Sequence, residues 1–192
     1  MRVRMAGRLA AAAAAALVPV AAWASMFAPV TDQQLVCESV DIVRGTVLEV
    51  SSAWEGDPEA IWTRVLLRVD RNIRGERVPG ELVDVKEIGG TVGDYTIVAH
   101  QFPTFRQGEE VVVMLAPWDD GSGWQRVWGY GRGMFAIARQ QNGLALAHRH
   151  DVIESRRPTM HTDRIPPVIG LDELVREMHE LSAHCAPKGG AR

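Results

Sequence analysis

Apolar and polar residues alternate along residues 61–71 (IWTRVLLRVDR). Ile61, Thr63, Val65, Leu67 and Val69 fall on one side of an extended chain, and Trp62, Arg64, Leu66, Arg68 and Asp70 on the other. A period of two with one apolar face marks an antiparallel strand, half in a core and half in water. Residues 41–51 predict a strand before it, with Gly45 at a bulge or a close backbone approach. Residues 54–60 (WEGDPEA) supply the Gly, Asp and Pro of the connection, and residues 82–88 predict the third strand. A glycine cluster at residues 89–93 then breaks the pattern ahead of an extended piece at 95–100. Residues 110–115 (EVVVML) are apolar enough for a central strand. The DDGSG of residues 119–123 predicts a hairpin turn into extended chain at 124–130, followed by a strand at 134–139. Asn142-Gly143, the dipeptide favoured in a type I′ turn, returns the chain as a last strand at 144–148.

One segment changes period. Leu171, Leu174, Val175, Met178 and Leu181 recur three and four apart, predicting an amphipathic helix over residues 171–184. Gly170 suits its N-cap, and Asp172 and Glu173 sit where the helix dipole favours acids. Short strands, Gly-rich turns and one terminal helix give a mainly β fold. The expected form is a small antiparallel barrel, closed or partly open and OB-like, with one C-terminal α-helix packed on it.

The first residues do not belong to that fold. Arg2, Arg4 and Arg8 precede an apolar run of about a dozen residues and then Ala22-Trp23-Ala24, the layout of a signal peptide over residues 1–24. Residues 25–35 read as a lead-in, 36–185 as a single domain including the helix, and 186–192 as a tail. The expectation is an exported protein, periplasmic or secreted, with no membrane span once the signal is removed. The whole chain carries a formal charge of −3, and losing three Arg and no acid takes it to −6. An acidic domain argues against a nucleic-acid partner, whose phosphates need a basic face. Cys37 and Cys185 are the chain's two cysteines. In an oxidising compartment such a pair predicts a disulfide; the competing reading is a reactive thiol at Cys185 beside His184.

The runs VDIVRGTVLEVSSAW, WTRVLLRVDRNIRGERVPGELVDVKEIGGTVGDY, FPTFRQGEEVVVMLAP and GYGRGMFAI, covering roughly residues 36–137, resemble a group of exported bacterial proteins of uncharacterised activity. In that group a similar domain occurs alone or beside other extracellular modules, sometimes a zinc peptidase. The resemblance implies an exported domain and no particular reaction. The stretch from Cys37 to Gly45 is also similar to netrin-like domains, barrels of the same type found in metalloproteinase inhibitors. It lacks their N-terminal Cys-x-Cys, so the inhibitory role does not carry over with it.

No catalytic constellation stands out. His179 and His184 are five apart, which on a helix turns their rings about 140° from each other, where H-E-x-x-H needs both on one face. His148 and His150 share a strand side with Asp151 nearby, but two imidazoles without a placed third ligand make no metal site. His100 and His161 have no evident companions. Asp119 and Asp120 are turn residues before they are calcium ligands. G-x-S-x-G is absent, and the Gly-rich loops lack the Lys-Ser/Thr of a phosphate cradle. No cofactor is implied. The binding clue is aromatic: Trp124, Trp128 and Tyr130, with Arg126 and Arg132, share one face of an extended chain, and Trp118 is close in sequence. Such rings either stack on a saccharide or peptide ligand, with Arg as the polar contact, or cover the core and the joint with the helix. The expected function is therefore a non-enzymatic exported module that binds a protein or saccharide. A metal-dependent envelope hydrolase and a protease-inhibitor-like barrel are the alternatives.

Overall fold

Two fifteen-residue strands, β1 (Asp41–Glu55) and β2 (Ala60–Arg74), pair antiparallel along their whole length and carry the rest of the sheet. The computed structural model that shows them describes residues 30–150 and 164–186. The expected signal peptide, residues 25–29 of the lead-in, His161 and the tail beyond residue 186 lie outside the described residues. The following strands are β3 (Leu82–Ile88), β4 (Gly90–Val92), β5 (Tyr95–Ile97), β6 (Glu110–Pro117), β7 (Gln125–Val127), β8 (Met134–Arg139), β9 (Ala145–Arg149) and β10 (Val168–Gly170).

Strands β1, β2 and β3 form an antiparallel meander. β6 pairs with β1 on one edge and with β7 on the other. A single parallel pairing, Val85 with Gln125, brings β7 to β3 and completes a ring in the order β1-β2-β3-β7-β6. The ring is a partly open OB-like barrel, as the alternating pattern predicts, and the weak β3–β7 seam is where it opens. β8, β9 and β10 extend the sheet outward from β6, and β4 and β5 form a separate two-stranded hairpin. The sequence places its last strand at 144–148; the structure adds β10 on the far edge of β9.

β6 explains why the fold has two cores. Val111, Val113 and Leu115 point into the ring, against Val43, Val65, Leu67, Val83 and Val85. Val112 and Met114 point out and lie under Leu35, Phe135, Leu174 and Met178. A strand covered on both faces loses its alternation and reads as an unbroken apolar run. Helix α2 (Leu171–Ala183) supplies most of the second cover, burying Leu171, Leu174, Val175, Met178 and Leu181. Gly45 meets both expectations for it. The β1–β2 register shifts between Arg44 and Gly45, and a Cβ at Gly45 would stand 2.5 Å from the Arg68 carbonyl oxygen.

Three local expectations are corrected. Residues 32–35, assigned to a lead-in, open helix α1 (Asp32–Glu38). Thr31 and Gln34 form a capping box, and Leu35 and Val36 are buried on the outer core. Asn142-Gly143 does not make a type I′ turn. Only Gly143 has a positive φ, 84°, and its N–H donates to the Gln140 carbonyl, the form of a type I turn followed by a left-handed residue. The extended reading of residues 124–130 fails after Val127. Gly129 (φ 72°) and Tyr130 (φ 60°) turn left-handed and start a 3-10 turn. Trp124, Trp128 and Tyr130 therefore do not share the face of one strand.

Candidate functional site

The outer face of β2 and β3, the β6–β7 loop and the β7 segment that follows it gather four tryptophans and three cations. Alternation sends Trp62 and Arg64 outward from β2 and Lys86 outward from β3. Across them lies the loop, closed where the Trp118 N–H donates to the Trp124 carbonyl at 3.0 Å. Inside the loop, Asp120 accepts from the Ser122 N–H and hydroxyl, and those bonds hold its carboxyl below the ordinary carboxylate range. Asp120 is here the scaffold of a turn, and Asp119 is exposed beside it, 3.8 Å from Arg126.

Each ring on this face carries a neighbour. Trp62 and Trp118 meet edge to face with centroids 5.5 Å apart, and the Trp118 indole N–H donates to the Lys86 carbonyl at 2.9 Å. Lys86 stands 4.7 Å over Trp62, Arg64 5.0 Å over Trp124, and Arg126 lies between Trp118 and Trp128 at 5.1 and 5.3 Å. Glu55 ties the far end, accepting from Lys86 at 2.8 Å and from Arg64 at 2.8 Å; the Lys86 hydrogen bond is the chief cause of its lowered pKa. The cations are thus held over ring faces, and Trp62, Trp118, Trp124, Arg126 and Trp128 are all half-buried.

At the open seam this face runs into a cavity of about 390 Å³, lined by Val30, Glu87, Phe102, Trp118, Arg126, Val127, Trp128, Gly129 and Tyr130. Glu87 sits on the inward side of β3 with Val83 and Val85 and is 2% exposed. Its Oε1 accepts from the Val127 N–H at 2.6 Å, so a side chain serves where the β3–β7 ladder runs out. Burial pushes this carboxyl up to about 8, although the Val127 hydrogen bond and Arg126 act the other way. The sign follows. A raised acid favours the folded state fully below its ordinary 4.5 and loses that contribution as pH climbs through about 8. Glu87→Gln keeps the acceptor and cannot ionise. Urea melts should show the wild type losing on the order of 3 kcal/mol between pH 5 and pH 9, and Glu87→Gln losing little of it. Equal losses in both proteins would place the alkaline sensitivity elsewhere.

No family model, curated protein or solved structure matches this chain. The chemistry of the site therefore rests on its own residues. Of the aromatic set drawn from the sequence, Trp118, Trp124, Arg126 and Trp128 come together, and Tyr130 joins them at the cavity, its ring edge to face with Phe102 at 4.9 Å. Arg132 faces the other way, 3.8 Å from Asp32. Sequence reasoning missed Trp62, Arg64, Lys86 and Glu87 as members. The signal for Glu87 was present, since an acid continuing the Val83, Val85 side of a strand must enter the core.

His150 Nε2 accepts from the Thr104 N–H at 3.1 Å, His184 Nδ1 lies 2.7 Å from the Glu180 carbonyl oxygen, and His179 is exposed. Among the described residues no group of three His, Cys, Asp or Glu side chains is placed to hold a metal ion. Cys37 and Cys185 form a disulfide, so neither is a free thiol. No helix among the described residues is long and apolar enough to cross a membrane.

Proposed function

We propose that this chain is an exported, non-enzymatic binding module that takes a saccharide or protein ligand on the β2–β3 face and the β6–β7 loop. The observation that carries the reading is the set of four half-buried tryptophans, each within reach of a held cation, with Trp62, Trp118 and Trp124 on the strand face and loop that OB-type barrels use for ligands and Trp128 just beyond β7. Rings of this kind offer flat apolar area with little entropy to lose, and Arg and Lys add directed donors. Export is supported by the disulfide, which persists in oxidising compartments, and by the layout of residues 1–24.

The test is direct. Mature protein titrated with defined oligosaccharides and with peptides should bind one class saturably, followed by tryptophan fluorescence. Trp124→Ala should weaken that binding about tenfold, while Trp54→Ala, outside the face, should leave it unchanged. Binding indifferent to Trp124 and to Trp62 alike would discard the face as the site.

A further inference from the structure

We infer that the cavity beside Glu87 is a subsite for one neutral pyranose ring, packed against its aromatic lining and bonded by Glu87, Trp128 and Arg126. The inference deepens the face reading and rests on it, because Trp118, Arg126 and Trp128 belong to both. Three features of the cavity ask for a ligand of this chemistry. The first is a pair of unmet donors on residues that line it: Trp128 Nε1 and Arg126 Nε are buried without a hydrogen-bond partner, and such groups seek acceptors. The second is Glu87, whose pKa of about 8 leaves it mostly protonated near neutral pH and so able to donate to one ligand oxygen. Pyranose hydroxyls both donate and accept, and the faces of the ring are C–H surfaces that lie well on indole and phenol.

The third is backbone strain. Gln101 (φ 74°) and Tyr130 (φ 60°) are the two non-glycine residues with positive φ among the described residues, and Tyr130 and the residue after Gln101, Phe102, line this cavity. The Gly131 N–H donates to the Gln101 carbonyl at 2.6 Å, and the next residue, Phe102, packs on Tyr130. Left-handed backbone at residues with side chains is kept where a site demands a geometry. A cationic ligand fits less well, because Arg126 already lies between Trp118 and Trp128 and Glu87 offers little negative charge. A cavity of about 390 Å³ is of single-ring to small-ligand size.

The experiment titrates glucose and N-acetylglucosamine, and separately their linear trisaccharides, into the mature wild-type protein by calorimetry and by following indole N–H resonances. The monosaccharide should bind weakly and saturably and shift the Trp128 indole resonance in the wild type, a readout that needs no variant. Trp128→Phe, which keeps a ring and removes the donor, should weaken it about three- to tenfold. Trp124→Ala should reduce trisaccharide binding and spare the monosaccharide. If a trisaccharide binds with Trp124 required but Trp128→Phe unchanged, the subsite is wrong and the face stands. If only peptides bind the face, the subsite is again wrong. If nothing binds and no indole resonance moves, both readings fall.

Discussion

Replacing Cys37 and Cys185 together by Ser should lower the free energy of unfolding by about 5 kcal/mol. The bond joins residues 148 apart, and in the chain-entropy account a cross-link stabilises by the loop freedom it denies the unfolded chain, which grows with the logarithm of loop length. The native side of the balance changes little. Gln33 still donates to the Leu181 carbonyl at 3.0 Å, and Leu35 and Val36 stay buried against α2, so the helices remain docked. The loss should therefore appear as a fall in melting temperature of about 10 to 20 °C and as a steeper dependence on urea, because an uncross-linked chain unfolds to a larger surface. Urea and thermal melts of the double variant against wild type measure both. A loss below about 1 kcal/mol would mean that restraint of the unfolded chain is not what the bridge contributes.

The bond was legible in the sequence through compartment and position; the two helix ends that it joins were not both legible. α2 announces itself because five apolar residues repeat at helical spacing. α1 is seven residues long, too short for a period to show, and its only local marks are Thr31 and Gln34 of the capping box. The ring was legible for a similar reason. Each of its long strands has one wet and one dry face, and β6 betrays its central place by having no wet face at all. The parallel seam was not, because a contact of one residue pair between β3 and β7 leaves no periodic trace. The site shows the same division. Aromatic residues around the DDGSG turn pointed to the β6–β7 loop, but their partners Trp62, Arg64 and Lys86 come from strands more than thirty residues earlier. Alternation told which way those side chains face; only the ring order told what they face.

The same limit governs a buried ion pair that no local pattern predicts. Asp32 at the start of α1 is 1% exposed and Arg149 at the end of β9 is 3% exposed. Arg149 Nη1 donates to Asp32 Oδ1 at 2.7 Å, and Arg149 Nη2 donates to the Ile165 carbonyl at 3.1 Å. The Ile165 N–H donates to Asp32 Oδ2 at 2.7 Å, and the guanidinium lies 4.8 Å over Phe135. One carboxylate thus joins the first helix, the outer sheet and the chain entering β10. Taking both charges out of water is expensive, so the pair's net contribution is small beside the penalty for breaking it. Asp32→Leu, which removes both acceptors and leaves the Arg149 charge buried, should cost about 3 to 5 kcal/mol in urea unfolding. Asp32→Leu combined with Arg149→Met should recover part of that loss, because the stranded cation is gone while the Ile165 N–H still lacks an acceptor. A double variant as unstable as the sum of the two single ones would show that the two side chains act independently and that the clamp is not a clamp.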